Sequence, residues 1–321
     1  MGRTPRDLAQ ALMTVSERPT PALVWRDGPE RVELSGRVLV NWVEKAAGLL
    51  VDELDVAASD VVTVSPVPHW RLVVIALAAL RAGARVQFTH RPEPDSVVHA
   101  HLESAPDDDA AAQLLLVVAG PALAFSCAAP LPDGAVDFAV EVRAMPDVYT
   151  GFEAPDPSAE ALGSAVLHGD LVARALATAP SGMAEHPATV HLPLADGWGD
   201  TELLTLLGTV VLGGAVLITA SPEDATADVL GQERAVSLED ARRMSSSEGS
   251  GVGRSAVEPE AGDVPAASSG VSPRRAVSAR RPWVPWSWTT GIWLVMNANS
   301  SSALSAKSGS WSSSVRKTQK R

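Results

Sequence analysis

Two hydrophobic rhythms alternate along the first part of the chain. Residues 6–15 (RDLAQALMTV) repeat their apolar positions at helical spacing. TPALVWRD and ERVELSGRVL then read as two strands joined by a turn at Asp27-Gly28-Pro29. In NWVEKAAGLLVDEL (41–54), Trp42, Val43, Ala46, Leu49, Leu50 and Leu54 share one helical face, with Asn41 at the predicted N-cap. VVTVSPV (61–67) is a continuous run of the kind that fills a buried parallel strand. WRLVVIALAALRAGA (70–84) predicts a helix closed by Gly83, and 84–90 predicts the next strand. This β-α-β-α-β order predicts an α/β fold, a mostly parallel sheet flanked by helices.

Later segments keep the rhythm more loosely. Residues 112–120 and 135–143 read as strands, and 144–160, rich in Pro, Asp and Glu, as a loop. A helix is predicted over 165–179 with Asp170 near its start, and a short strand over 188–194. A further helix over 200–214 and a strand over 215–220 follow, and Ser221-Pro222 opens another helix. Residues 203–222 carry no charge and are long enough to span a bilayer. The spacing of Gly208, Gly213-Gly214 and Pro222 instead predicts a helix, a turn and a buried strand, so no membrane span is expected. From 242 to 282 the periodicity is lost, and Ser, Gly, Pro, Arg and Val dominate, a composition that favours disorder.

Charge divides the chain at the same place. The net charge of −12 argues against nucleic acid as a partner. It is the sum of −19 over residues 1–233 and +7 over 234–321. Serine and tryptophan concentrate in the second stretch, which holds 20 Ser and, between 283 and 311, five of the nine Trp. Two units are therefore expected: an α/β domain over 1–233, and a Ser/Arg/Trp-rich tail over 234–321 that is either disordered or translated out of frame. The single cysteine, Cys127, excludes an internal disulfide and Cys-based zinc sites. In its apolar setting (AFSCAAP) it reads as a buried, inert thiol. With no apolar leader in MGRTPRDLAQALMTV, the expected compartment is the cytoplasm.

Few residues suggest chemistry. His69 and Trp70 fall at the C-terminal end of a predicted parallel strand, where open α/β sheets bind ligands, although a helix-start histidine also serves as a cap. His168 and Asp170 open a predicted helix, and Gly197-Trp198 precede another. These six residues are the candidate ligand contacts. His99, His101 and Glu103 are read as a solvated surface helix without a third metal ligand, so no metal is expected. His191, Asp196 and Ser181 lack a G-x-S-x-G elbow and predict no hydrolase triad. Asp107-Asp108-Asp109 reads as a solvated loop.

The order of elements carries a resemblance. The paired strands over 20–40, the helix over 41–54, the Asp60-Val61-Val62 strand and the ALRAGA helix end (79–84) resemble the N-terminal part of the adenylate-forming (AMP-binding, acyl-CoA synthetase-like) superfamily. Val166 to Ile218 resembles the stretch after that superfamily's phosphate loop. His168 and Leu171 start its helix, Leu192-Pro193-Leu194 stand in its strand, and Leu212 to Val216 close it. A further resemblance is to an uncharacterised actinobacterial family distantly similar to these enzymes. It covers about residues 5–233. It implies ATP or AMP as the nucleotide if family function survives.

The departures point the other way. The superfamily's phosphate loop is rich in Ser, Thr and Gly and ends in Pro-Lys. Here the matching stretch is PDPSAEALGSAVLH (155–168), with no Lys and with Asp156 and Glu160. The aromatic-Gly-x-Thr-Glu segment, the ribose-binding Gly-Asp segment and the C-terminal catalytic lysine have no counterpart. The expectation is a truncated or degenerate relative with no ligase activity and no catalytic residues. It would need no cofactor, and would bind a small ligand or self-associate through exposed apolar surface.

Overall fold

The computed structural model describes residues 4–104, 112–150, 154–163, 165–194 and 197–247. The basic Ser- and Trp-rich segment beyond 247 and the Asp107-Asp108-Asp109 run lie outside the described residues, as do Ser164 and Asp196. The described residues fall within one unit.

Local sequence sets most element starts. Helix α1 (Leu8–Ser16) begins at Asp7, whose carboxylate accepts the Gln10 N–H at 2.8 Å. Strands β1 (Pro21–Asp27) and β2 (Glu30–Ser35) pair across the turn at Gly28. Helix α2 (Gly36–Gly48) starts five residues before the predicted Asn41 cap. Ser35 Oγ accepts the Val38 N–H at 3.3 Å, and the buried Leu39 and Val40 extend the apolar stripe back to it. Beyond Gly48 the helix widens into a π-turn, Leu49–Glu53. Strand β3 (Val61–Val64) is buried at every residue. So is α3 (Trp70–Arg81) from Trp70 to Leu80, as its apolar sequence requires.

Strand β4 (Arg85–Phe88) leads to β5 (Ser96–Leu102), where a surface helix was expected at His99–Glu103. The backbone groups of this stretch instead join ladders with β3 and, on the other side, β6 (Leu114–Val118). Only Val136–Asp137 of the predicted 135–143 strand is extended, as β7. The Asp137 carboxylate accepts N–H groups from Ala139 and Val140, which turns the chain into helix α4 (Phe138–Glu141). The first residues of the helix predicted over 165–179 instead form β9 (Val166–Leu167), in a hairpin with β8 (Glu160–Leu162). Helix α5 (Leu171–Thr178) therefore starts late. Strand β10 (Thr189–His191), helix α6 (Asp200–Val211) and strand β11 (Ala215–Thr219) follow as predicted. Around the composition break come α7 (Ala227–Gln232), just before it, and β12 (Ala235–Ser237) and α8 (Leu238–Ser247), past it. β12 pairs with β10, so the sheet continues beyond residue 233.

The strands make two sheets. One runs β12-β10-β11-β1-β2, the other β7-β6-β5-β3-β4-β8-β9. All neighbours are parallel except the β1–β2 and β8–β9 hairpins. Helix α2 packs on β1 and β2 and also on α3, which lies on β3, β4 and β5. Helices thus fill the space between the sheets, with Leu39, Leu50, Ile75 and Leu77 fully buried in the core. Arg18 fastens the end of α6. Its guanidinium donates to the carbonyls of Val210, in the last turn, and of Gly213 (2.6 Å) and Gly214 (3.0 Å), just beyond it. No helix among the described residues is long and apolar enough to cross a membrane.

Candidate functional site

The segment leaving β3 ties the two sheets together. Ser65 N–H donates to the Ala100 carbonyl at 2.8 Å, and Trp25 Nε1, from β1, donates to the Pro68 carbonyl at 2.9 Å. His69 then caps α3. Its Nδ1 accepts the Arg71 N–H at 3.2 Å, which puts the ring proton on Nε2, facing the Gly120 carbonyl at 3.2 Å. Burial, and next the Arg71 charge, hold its pKa down at about 3, against the pull of that carbonyl. His69 is therefore a neutral hydrogen-bonding group at neutral pH. Trp70 donates from Nε1 to the Ala122 carbonyl at 3.1 Å and meets Trp42 edge-on at 5.1 Å between centroids.

Gly197 and Trp198 arrive at the same end of β3. Trp198 N–H donates to the Pro66 carbonyl at 2.9 Å. Gly197 has φ +84°, and a Cβ there would stand 2.5 Å from the Pro66 oxygen, so only glycine lets the two segments touch. Trp198 is buried, and its Nε1 has no hydrogen-bond partner among the described residues. Four of the six expected ligand contacts are thus gathered near the C-terminal end of β3.

The other two lie at the opposite end of the sheet. His168 N–H donates to the Ala159 carbonyl, just before β8, so His168 sits below the strand starts. Burial lowers its pKa, opposed by the backbone of Ala84 and Gly83. Asp170 occupies the N-cap position of α5, but its side chain makes no capping bond. The structure thus brings four of the six candidate contacts together and leaves His168 and Asp170 apart from them.

Two features escaped the sequence. The first surrounds the β8–β9 turn. Gly163 N–H donates to the Val86 carbonyl at 3.1 Å, and a Cβ on Gly163 would stand 2.7 Å from Asp200 Oδ2. Burial raises the Asp200 pKa, Glu202 adds to the rise, and Arg85 opposes it. Arg85 itself pairs with Glu160 at 2.9 Å. The second is the loop over 119–128, which has almost no regular structure and is gripped by distant side chains. Glu103 accepts N–H groups from Gly120 (2.8 Å) and Ala128 (2.6 Å), Asp137 from Cys127 (2.7 Å), and Glu30 from Ala122 (2.9 Å). Buried Arg71 donates to the carbonyls of Ala119 (3.4 Å) and Ala124 (2.7 Å), and Arg143 to that of Phe125. The loop holds Leu123 and Phe125 half or more exposed. Cys127, expected to be buried, is half-buried. Burial and Asp137 push its thiol up to about 12, so it stays protonated. No signal in the local sequence marks either feature, because each partner comes from a distant element.

The fold is that of the acyl-CoA synthetases. The Brucella canis acyl-CoA synthetase superposes with a TM-score of 0.55 at 19% identity, over 74% of this chain and 49% of that one. Coronafacic acid ligase from Pectobacterium brasiliense gives 0.52 at 10% identity, over 77% and 53%. The chain thus spans about half the length of the solved structures it matches. In sequence it is similar to a TIGR03089 family protein of Mycobacterium tuberculosis, 27% identical over 237 residues, covering 69% of this chain and 93% of the relative. No protein-family profile matches the chain.

Proposed function

We propose that the chain is a synthetase relative that keeps the α/β frame without activating carboxylates. One observation carries this reading. Where the resemblance puts the phosphate loop stand the two short strands β8 and β9, and no Lys lies between Pro155 and His168. A nucleotide's phosphates need several free backbone N–H groups and a cation around them. Here the Gly163 N–H is spent on Val86, the Asp200 carboxylate stands beside the turn, and Arg85 is paired with Glu160. These residues do not fit ATP phosphates. The cluster of His69, Trp70, Gly197 and Trp198 is the part left for a small apolar or nucleotide-like ligand. The test is pyrophosphate exchange with a panel of carboxylic acids, run beside calorimetric ATP titration. The expected result is exchange at the no-protein background. Robust exchange with any acid would overturn the proposal and make the chain a divergent ligase.

The gripped loop favours a second reading, an interaction module. A side chain held rigid and exposed pays little ordering entropy on docking. Light scattering after size exclusion should then show an assembly that Phe125→Asp dissociates; a monomer at all concentrations sinks this second reading.

A further inference from the structure

A cavity of about 370 Å³ opens between the π-turn that ends α2 and the segment running through β7 into α4. That volume falls within the range of small-ligand pockets. None of the six candidate ligand contacts described above lines it. One wall is the π-turn. The Leu54 N–H donates to the Leu49 carbonyl at 3.2 Å, five residues back, and both leucines line the cavity. The opposite wall is set by Asp137. One of its carboxylate oxygens accepts the N–H groups of Ala139 (2.9 Å) and Val140 (3.3 Å), and the other accepts that of Cys127 (2.7 Å). Those bonds hold the turn from β7 into α4, which brings Val136 and Val140 to the cavity. Each wall is therefore fixed by its own hydrogen bonds.

The lining divides by chemistry. Leu49, Leu54, Val136 and Val140 give it apolar sides, and Val140 is 42% exposed although its side chain is aliphatic. Its charged residues are all of one sign: Glu53, Asp137 and Glu141 line it, and no Lys, Arg or His does. Asp137 is spent on backbone N–H groups. Glu53 and Glu141 are exposed and make no hydrogen bond or ion pair with the described residues. Two unpaired carboxylates on an apolar pocket repel an anion and attract a cation. The apolar sides add a second requirement, that the cation carry a hydrophobic body to cover them. Among the described residues no three metal-ligating side chains converge, so a bare metal ion does not match the site. We propose that this cavity binds a small organic cation, an ammonium group on an apolar body the size of an aromatic ring. Glu53 and Glu141 hold the ammonium, and the leucines and valines cover the body. Nothing in this proposal depends on how the chain handles nucleotides or on assembly through Phe125.

Phenethylamine, protonated at neutral pH, is the probe, and hydrocinnamate, an anion of similar size and shape, is its control. Ligand-observed NMR titration of the full chain should show saturable binding of the amine and none of the acid. Glu53→Gln combined with Glu141→Gln should weaken the amine about tenfold. Glu185→Gln combined with Glu223→Gln removes the same charge from two exposed glutamates outside the cavity and should leave the affinity at the wild-type value. Val140→Ser should weaken the amine severalfold, as a pocket requires and a diffuse negative surface does not. The paired glutamate variants change exposed side chains only, so their circular dichroism and melting temperature should match the wild type. No saturable amine binding to the wild type up to about 10 mM would overturn the proposal. So would hydrocinnamate binding as tightly as the amine, or an equal loss of affinity in the two paired variants.

Discussion

Replacing Gly208 with alanine is expected to destabilise the chain by about 3 kcal/mol or more, at the top of the range for overpacked interiors. Gly208 lies inside α6, where it faces Ala175 and Ala179 at α5. A Cβ at this position would stand 1.9 Å from the Ala175 carbonyl oxygen and 3.0 Å from Ala179 Cβ. Neither obstacle is the flexible end of a side chain. Relief requires the helices to separate, and both are held. Leu171 and Ala175 are buried on α5, and Leu206, Leu207 and Val210 on α6. Separation would open a gap along that seam and lose its dispersion contacts. Urea unfolding should show a lowered midpoint with an unchanged slope. Gly231→Ala is the control. It lies in α7 with nothing within 4 Å of a Cβ, so it should gain up to about 1 kcal/mol from helix propensity. A Gly208→Ala protein within about 1 kcal/mol of the wild type would refute the packing argument.

Much of the fold was legible because burial leaves a periodic trace. β3 and α3 are mostly apolar, and they are buried from Val61 to Val64 and from Trp70 to Leu80. β1, β2, α6 and β11 were found by the same signal. Errors arose where polar side chains face inward or capping redirects the chain. Histidines at 99 and 101 read as solvated, yet Thr63 and the Leu102 carbonyl satisfy them inside the sheet. Asp137 ended a predicted strand because its carboxylate caps the next turn. β12 is three residues long, too short to show a period, and only its ladder with β10 defines it. Pairings such as Leu23 with Val216 carry no local signal, since register between distant strands depends on the whole core. The site was half legible for the same reason. Strand ends could be read, which located His69. Which loop returns to that end could not, so His168 was grouped with residues at the other end of the sheet.

Mild acid should weaken the fold before most carboxylates protonate. His69 has a folded pKa of about 3, set first by burial and then by Arg71, against about 6.5 in the unfolded chain. Below pH 6.5 the unfolded chain therefore takes up a proton that the folded chain refuses. Stability from this group is complete above 6.5 and is lost as the pH falls toward 3. Between pH 7 and pH 5 the loss from His69 alone is about 2 kcal/mol. His99, pushed down to about 4 by burial and then by His101 and His90, acts in the same direction, as do buried His168 and His191. Asp200 works the other way, because burial raises its pKa and the folded state then holds its proton more tightly than the unfolded chain. That compensation falls mainly in the carboxylate range, below the histidine window. Urea midpoints measured at pH 7, 6 and 5 in the presence of a chelator should therefore fall steadily. His69→Asn keeps a helix-capping oxygen and removes the titrating ring, so its stability should depend less steeply on pH. A wild-type midpoint that stays level from pH 7 to pH 5 would show that His69 is solvated and does not cap α3 as a buried neutral ring.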